Sequence, residues 1–213
     1  MIMDETNHKI SAKEKLLAVF RKQGKHGPTG NARLPSGQHL TSGFPVLDLG
    51  VQPEIDLQTW KLEIGGMVEK PCSPSLEQLK RLGTQSYTED FHCVTSWSKF
   101  DVRWTGIPIK AIIDLVKPKN DWKHLIQYGK DGYSTNVPRE DVERKNVFLA
   151  FELDGKPIPR EHGYVRLIIP HLYAWKTSKF LTRLEFSITD KPGFWEVRGY
   201  HNHGDAFKEE RYG

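Results

Sequence analysis

The residues best suited to chemistry lie in one short stretch, Phe91-His92-Cys93-Val94-Thr95-Ser96-Trp97-Ser98. Cys93 ends a polar, alternating run that predicts a strand, so its thiol stands just before a turn. A thiolate is a soft metal ligand, and a nucleophile once a nearby cation lowers its pKa. Because side chains alternate along a strand, His92 would face the other way, which argues against a zinc site shared by both residues. A cysteine that only fills the core is the alternative.

A second candidate is the cluster His201-Asn202-His203, with Asp205 close by in the sequence. Two histidines at i and i+2 share one face of an extended segment and could bind a metal such as zinc. An ordinary hydrogen-bonded surface turn is the alternative. The chain has no C-x-x-C or H-E-x-x-H motif, so the strongest zinc signatures are missing.

A third candidate is the loop Tyr173-Ala174-Trp175-Lys176-Thr177-Ser178-Lys179, with Arg166 shortly upstream. Two lysines three residues apart, with hydroxyl groups between them, could hold a phosphate group. A hairpin loop with solvated lysines is the alternative. The sequence contains neither a Gly-rich nucleotide-binding loop nor a G-x-S-x-G elbow, so nucleotide use and esterase chemistry are both unsupported.

The composition is that of an ordinary globular protein. The chain has 213 residues, 37% of them hydrophobic and 27% charged, which is enough for one sizeable core. The net charge of +4 comes from scattered lysines and arginines, so we expect no nucleic-acid partner. No apolar run is long enough to span a membrane, and residues 1–10 show no export signal. With only two cysteines, a disulfide framework is excluded and a cytoplasmic location is expected.

Strands dominate the predicted secondary structure. Apolar and polar residues alternate over the segments predicted as strands, which are 60–64, 87–94, 125–128, 133–137, 147–153, 165–169 and 180–188. Short helices are predicted over 73–82, where Ser-Pro-Ser begins the segment, and over 108–116, where isoleucines recur at helical spacing. The order does not alternate as βαβ units would, so the pattern favours an α+β fold.

The N-terminal region differs from the rest of the chain. Ser11-Ala12-Lys13-Glu14 is a capping box that predicts a short helix, and residues 24–45 form a Gly- and Pro-rich irregular arm. We therefore predict that residues 1–45 pack as a helix and an arm against a single domain formed by residues 46–213.

Several segments together resemble a known family. The stretch from His92 to Ser98, followed by Trp104-Thr105-Gly106-Ile107-Pro108, resembles the molybdenum-binding segment of the sulfite oxidase family of molybdopterin enzymes. The run Val165-Arg166-Leu167-Ile168-Ile169-Pro170 and the loop ending at Lys179 resemble that family's cofactor-anchoring segment. The ending from Gly193 to Asp205 is similar to a compact, sulfite oxidase-like branch. The resemblance covers most of residues 33–213.

The resemblance implies a strand-rich α+β fold around one molybdopterin cofactor. Cys93 would be the protein ligand of molybdenum and the catalytic residue. The residues implied to bind the pterin or its phosphate are Phe44, His92, His162, Arg166, Lys176, Thr177, Ser178 and Lys179.

The neighbourhood of Cys93 departs from the pattern of sulfite-oxidising members, which carry an arginine shortly after the ligand cysteine. Here Ser96-Trp97-Ser98-Lys99 follows, and the first arginine is Arg103. We therefore predict oxygen-atom transfer to or from a small molecule other than sulfite, such as the reduction of an S- or N-oxide, with a separate electron donor or acceptor. The alternatives are a zinc hydrolase that uses His201 and His203, and a non-catalytic binding module.

Overall fold

The computed structural model describes residues 30–213 together with Ile10, Ser11 and Glu14. The predicted N-terminal helix lies mostly outside these residues. Ser11 and Glu14 are helical, and so is Ile10, so the helix begins before Ser11 and the predicted N-cap at Ser11 is wrong. No helix in the described part of the chain is both long and apolar enough to cross a membrane.

Strands dominate the described chain, as the sequence predicts. Residues 30–213 contain ten strands, β1 (His39–Leu40), β2 (Glu63–Gly66), β3 (Gln85–Cys93), β4 (Trp97–Pro108), β5 (His124–Gly129), β6 (Ser134–Pro138), β7 (Phe148–Leu153), β8 (Lys156–Pro157), β9 (Arg166–Ile168) and β10 (Leu181–Ser187). The helices of the same range are short: α1 (Leu76–Lys80), α2 (Ile109–Val116), α3 (Arg139–Val142) and three 3-10 turns at Arg160–His162, Ala174–Lys176 and Glu196–Arg198.

The strands form two mixed sheets. In the six-stranded sheet, β4 lies between β1 and β7, with β3 paired to β4 and both β8 and β9 paired to β7. In the four-stranded sheet the order is β2-β10-β5-β6. The pairs β1–β4 and β2–β10 are parallel and the other pairs are antiparallel. This mixture, with no βαβ alternation, confirms the predicted α+β class.

The longest strand, β4, is not among the predicted strands. The prediction overlooked a signal within it, where apolar Phe100, Val102 and Trp104 alternate with polar residues, while Ser98 and Lys99 interrupt the pattern nearer its start. Tertiary pairing extends the strand beyond this alternating segment, because β4 is hydrogen-bonded to β1, β3 and β7.

The two predicted short helices are present with slightly different ends. Ser75 is the N-cap of α1: its hydroxyl accepts a hydrogen bond from the backbone N–H of Gln78, whose side chain accepts one from the Ser75 N–H. This reciprocal capping starts the helix later than the predicted residue 73. In α2, Ile109, Ile112 and Val116 are buried, which confirms the helical spacing predicted there.

The largest hydrophobic cluster joins the four-stranded sheet to α1 and α2, and its fully buried members include Leu62, Leu79, Ile112, Leu184 and Phe186. Two smaller clusters are strongly aromatic. One is built around Phe91, Trp97 and Trp104, and the other around Trp175, Trp195 and Tyr200. Between these aromatic clusters lies the cavity described next.

Candidate functional site

One cavity of about 250 Å³ brings together parts of the chain that are distant in sequence. The segments that line it are the arm at 44–49, the end of β3 and the turn after it, the loop at 131–133, and residues of the segments 162–166, 174–179 and 195–212. Six of the residues predicted for the site lie on its wall: Phe44, Cys93, His162, Arg166, Thr177 and Lys179.

Cys93 is the last residue of β3 and is buried on the cavity wall. Its Sγ atom is 3.2 Å from the Oγ1 atom of Thr95. Cys93 and Cys72, both in the described part of the chain, do not form a disulfide bond. A buried sulfur on the wall of a cavity is well placed to bind a metal-containing group.

His92 does not line this cavity, as the alternation along β3 predicts. Its Nδ1 atom lies 2.8 Å from the Ser98 hydroxyl, and its ring meets the edge of the Phe207 ring. Burial lowers the pKa of His92 to about 4, so the ring is neutral at physiological pH. His92 therefore supports the strand that carries Cys93 from the opposite face.

Arg166 brings a positive charge into the cavity wall. Its side chain is almost fully buried on β9, and one amino group donates a 2.8 Å hydrogen bond to the Thr177 hydroxyl. Burial lowers the pKa of Arg166 to about 10, which leaves it cationic at neutral pH. Its Nε has no hydrogen-bond partner among the described residues. A buried cation with an unused donor is well suited to an anionic ligand.

Lys179 and His162 extend this polar side of the cavity. The Lys179 ammonium group donates hydrogen bonds to the backbone oxygens of Leu47 and Glu161 at 2.8 and 2.7 Å. Burial, together with the charges of Arg166 and Lys179, lowers the pKa of His162 to about 4. The neutral ring of His162 packs 4.5 Å from the ring of Phe44.

Gly163 allows His162 and Lys179 to lie close together. Its φ is +100°, and a Cβ atom at this position would be 2.7 Å from the Cβ of Lys179. A side chain at residue 163 would therefore both strain the backbone and push the lysine away.

Lys176 and Ser178 do not line the cavity. The Lys176 ammonium group is fully buried, where it donates hydrogen bonds to Glu196 at 2.6 Å, to the Asn136 side chain and to the Asn202 carbonyl. The Ser178 hydroxyl donates a 3.0 Å bond to the Lys179 carbonyl. Thr177 and Lys179 therefore line the cavity, whereas Lys176 and Ser178 do not, and the side chain of Gln127 holds the backbone on both sides of Thr177.

The described structure does not favour the zinc alternative. The ring nitrogens of His203 lie 2.8 Å from Asp141 and 2.7 Å from Glu210, and the Nδ1 atom of His201 accepts backbone N–H groups of the turn. No group of three or more His, Cys, Asp and Glu side chains that could hold a metal occurs within the described residues. The cluster is a hydrogen-bonded turn.

Several aromatic residues of the cavity were not predicted. Tyr133, Trp175, Trp195 and Tyr200 line it. Tyr133 begins a predicted strand and Trp175 lies in the third candidate loop, but only the abundance of aromatics indicated that such residues would line a site. Asp131 is also on the wall, and burial raises its pKa to about 6. No sequence motif marks it.

The donor set fits a cofactor that combines a soft metal with an anionic group. Cys93 offers sulfur, and Arg166 and Lys179 offer positive charge for a phosphate. The unused Nε donor of Arg166 is the clearest structural sign of such a ligand. Aromatic walls between these ends provide flat surfaces for a planar ring system.

Residues 49–195 match the family described as oxidoreductase molybdopterin binding domain. The chain is 35% identical over 184 residues to the uncharacterized oxidoreductase YuiH of Bacillus subtilis, a match that covers 85% of this chain and 93% of that protein. It is also similar to catalytic subunits of the protein-methionine-sulfoxide reductase MsrP. The identity is 24% over 160 residues for Campylobacter jejuni (65% of this chain, 52% of that protein) and 26% over 149 residues for Xanthomonas axonopodis pv. citri (62% and 46%). The chain thus spans about half the length of these two relatives.

Among solved structures, the crystal structure of the sulfane dehydrogenase SoxCD from Paracoccus pantotrophus is similar, with a TM-score of 0.57 and 24% sequence identity. The match covers 78% of this chain and 45% of that chain. The likeness concerns the fold, and it agrees with the strand-rich, sulfite oxidase-type fold predicted from the sequence.

Proposed function

Because this chain belongs to the oxidoreductase molybdopterin-binding domain family, we propose that it transfers an oxygen atom to or from a small molecule, in the direction that reduces an S- or N-oxide. The family confirms the enzyme class and cofactor predicted from the sequence: the protein is a molybdenum-dependent oxidoreductase that uses molybdopterin. The similarity to methionine sulfoxide reductases supports an S-oxide as the substrate.

The observation that carries this proposal is the presence of Cys93 and Arg166 on the wall of one cavity. Cys93 is the proposed ligand of molybdenum through Sγ. Arg166, Thr177 and Lys179 are the proposed partners of the phosphate, because they present a guanidinium, a hydroxyl and an ammonium group to the same side. When bound, the cofactor supplies the two-electron chemistry of oxygen-atom transfer.

The surroundings of Cys93 support a neutral oxide better than the sulfite anion. Arg103 is on β4 but its guanidinium is exposed and pairs with Asp154, and the Lys99 ammonium group donates to the Ser42 carbonyl. Neither residue lines the cavity, whereas the aromatic rings of Trp97 and Tyr200 do. An apolar wall is suited to the carbon substituents of a sulfoxide, since burying them is favourable and no second anion needs to be neutralised.

The proposal extends to the organisation and location of the protein. Residues 46–213 are the proposed cofactor domain, and the described part of the arm, residues 30–45, packs on it, because Phe44 lines the cavity and Gln38 donates a hydrogen bond to the Cys93 carbonyl. A cytoplasmic location is proposed on the ground that the two cysteines are not joined, and fractionation of the native cells tests it. The electron donor or acceptor is a separate partner.

The test is metal analysis of protein produced in a host able to make the cofactor, followed by assays with an artificial electron donor. We expect about one molybdenum per chain and turnover of methionine sulfoxide that exceeds that of sulfite. Absence of molybdenum would refute the assignment of the site. If the protein holds molybdenum and oxidises sulfite but reduces no oxide, the metal site stands and only the proposed direction and substrate are refuted.

A further inference from the structure

The turn that carries Cys93 is held in an unusual conformation. Cys93 pairs with Trp97 at the end of the β3–β4 hairpin, and the Ser96 N–H donates a 3.1 Å hydrogen bond back to the Cys93 carbonyl. Ser96 has a φ of +72°, in the left-handed region that residues with a side chain seldom adopt. Such a conformation persists only when the surrounding structure fixes it.

The first element that fixes the turn is the N-terminal arm. The buried side-chain amide of Gln38 donates a 3.0 Å hydrogen bond to the Cys93 carbonyl, and its oxygen accepts one from the Ser98 hydroxyl. The next residue of the arm, His39, donates its N–H to the Ser96 carbonyl at 2.9 Å. Gln38 therefore connects both ends of the turn.

The second element is the C-terminal tail. Arg211 is buried, and one amino group of its guanidinium donates a 2.6 Å hydrogen bond to the Val94 carbonyl. The other amino group donates to the Ser36 carbonyl at 3.0 Å, so the same side chain also holds the arm. The guanidinium lies 5.0 Å from the ring centre of Tyr173. Its planar fork satisfies carbonyls from two separate segments.

We propose that Gln38 and Arg211 are positioning residues that set the direction of the Cys93 sulfur. Their hydrogen bonds fix the carbonyls of residues 93 and 94, and hence the peptide planes that orient the Cys93 side chain towards the cavity. Neither residue lines the cavity itself. The inference rests on the proposed role of Cys93 as the metal ligand. It assigns a function to two residues that are far from Cys93 in the sequence, Gln38 at a separation of 55 residues and Arg211 at a separation of 118.

The test compares Gln38→Leu, Arg211→Met and Arg211→Lys with Arg198→Met as the matched control. Arg198 belongs to the same C-terminal region, but it is partly exposed and donates to the Phe194 carbonyl. For each variant, the purified holoprotein is examined by Mo(V) electron paramagnetic resonance. The full chain from a host without cofactor synthesis is alkylated with iodoacetamide, and mass spectrometry follows Cys93 and Cys72 separately.

We expect Arg211→Met and Gln38→Leu to change the Mo(V) spectrum and to change the rate of Cys93 alkylation by about tenfold, with Cys72 unaltered. Arg211→Lys restores one of the two carbonyl contacts and should lie between Arg211→Met and the wild type. An unchanged spectrum and an unchanged Cys93 rate in Arg211→Met would overturn the proposal. Equal changes at Cys72 would also overturn it, because they would indicate general loosening of the fold. Should the wild type hold no molybdenum, the alkylation rates still test the positioning role.

Discussion

The Sγ atom of Cys93 lies 3.2 Å from the Oγ1 atom of Thr95. When the sulfur is bound to a metal as a thiolate, it can only accept, so the Thr95 hydroxyl must donate. Hydrogen bonds to a ligand sulfur withdraw electron density and change the reduction potential of the metal.

We therefore expect Thr95→Val to retain molybdenum, to shift the reduction potential and the Mo(V) spectrum, and to lower the turnover rate by about tenfold. Thr88→Val is the matched control, because Thr88 lies on the exposed part of the same strand. The idea fails if Thr95→Val and Thr88→Val give the same potential and spectrum.

Replacing the sulfur itself should separate catalysis from stability. We expect Cys93→Ser to lose more than about 99% of activity, since removal of a metal ligand exceeds the effect of a supporting residue. Its unfolding free energy should change by less than about 1.5 kcal/mol, because serine is nearly the same size and the Thr95 hydroxyl, 3.2 Å from the sulfur, offers the new hydroxyl a hydrogen-bond partner. The measurements are turnover and urea unfolding.

Cys72→Ser is the control for that substitution. Cys72 is half-buried, packs beside the large core and does not line the cavity, and burial raises the pKa of its thiol. A protonated thiol is a poor metal ligand. Loss of molybdenum in Cys72→Ser, with retention in Cys93→Ser, would show that the wrong cysteine was assigned.

Arg166→Met should affect cofactor retention more than folding. The guanidinium is buried and its Nε donor has no partner among the described residues. The desolvation of this charge therefore offsets most of what its contacts contribute to the stability of the cofactor-free chain. We expect the molybdenum content to fall by at least about tenfold while the melting temperature of the cofactor-free chain is unchanged or higher. The control is Arg103→Met, whose guanidinium is exposed beside Asp154. A large drop in melting temperature with normal molybdenum content would contradict the role of Arg166.

Much of this site could be predicted because it follows local rules. Cys93 ends a strand with period-two alternation, and the same alternation places His92 on the opposite face. Alternation could not predict which of Thr177 and Ser178 faces the cavity, because the segment after the 3-10 turn at Ala174–Lys176 shows no regular apolar periodicity. Its orientation depends on Gln127, which bonds the backbone on both sides of Thr177.

Long-range contacts account for the rest. Strand β4 pairs with three other strands, and although the alternation from Phe100 to Trp104 indicates a strand, nothing in its sequence shows which strands pair with it or that it begins at Trp97. Gln38 and Arg211 meet at the Cys93 turn from nearly opposite ends of the chain. A single sequence carries no signal for such a meeting, since it depends on how the two sheets are assembled.

The buried ion pair of Lys176 and Glu196 leads to a prediction about stability. Burial lowers the pKa of Lys176, and the Glu196 carboxylate opposes this shift through a 2.6 Å hydrogen bond. Lys176→Met would leave the Glu196 charge buried without its partner, which we expect to lower the unfolding free energy by about 3–5 kcal/mol. The double variant Lys176→Met/Glu196→Gln should recover part of that loss in urea unfolding. If the double variant is no more stable than Lys176→Met, the unpaired carboxylate is not the cause.

The last prediction concerns the buried Asp141 of α3, which contacts His203 and so joins α3 to the turn at residues 201–203, called the C-terminal turn below. Burial acts to raise the pKa of Asp141, but hydrogen bonds from His171 and His203 outweigh it and hold that pKa well below its usual range. The Arg144 guanidinium also lies 3.0 Å from this carboxylate. The hydrogen bond to Asp141 raises the pKa of His203, burial opposes the shift, and the hydrogen bond to Glu210 adds to it.

The two shifts define a pH window. The stability contributed by Asp141 is present when the pH is above the pKa of this group in the unfolded chain, and it is lost as the pH falls through the lowered pKa of the folded state. The stability contributed by His203 is present when the pH is below its pKa in the unfolded chain, and it is lost as the pH rises through the raised pKa of the folded state. Both contributions are therefore complete between about pH 4 and pH 6.5. We expect Asp141→Asn to lower the unfolding free energy by about 2–3 kcal/mol at a pH of about 5.5 and by roughly half as much at about 8.5.

Urea unfolding at the two pH values measures this difference, and Asp154→Asn is the control because its carboxylate is exposed beside Arg103. Removing an exposed ion pair should cost less than about 1 kcal/mol at either pH. His203→Gln, which keeps a donor but cannot be charged, should lose the extra stability at the lower pH and resemble the wild type more closely at the higher one. An Asp141→Asn effect that is equal at both pH values would mean that the charge of His203 does not stabilise the C-terminal turn.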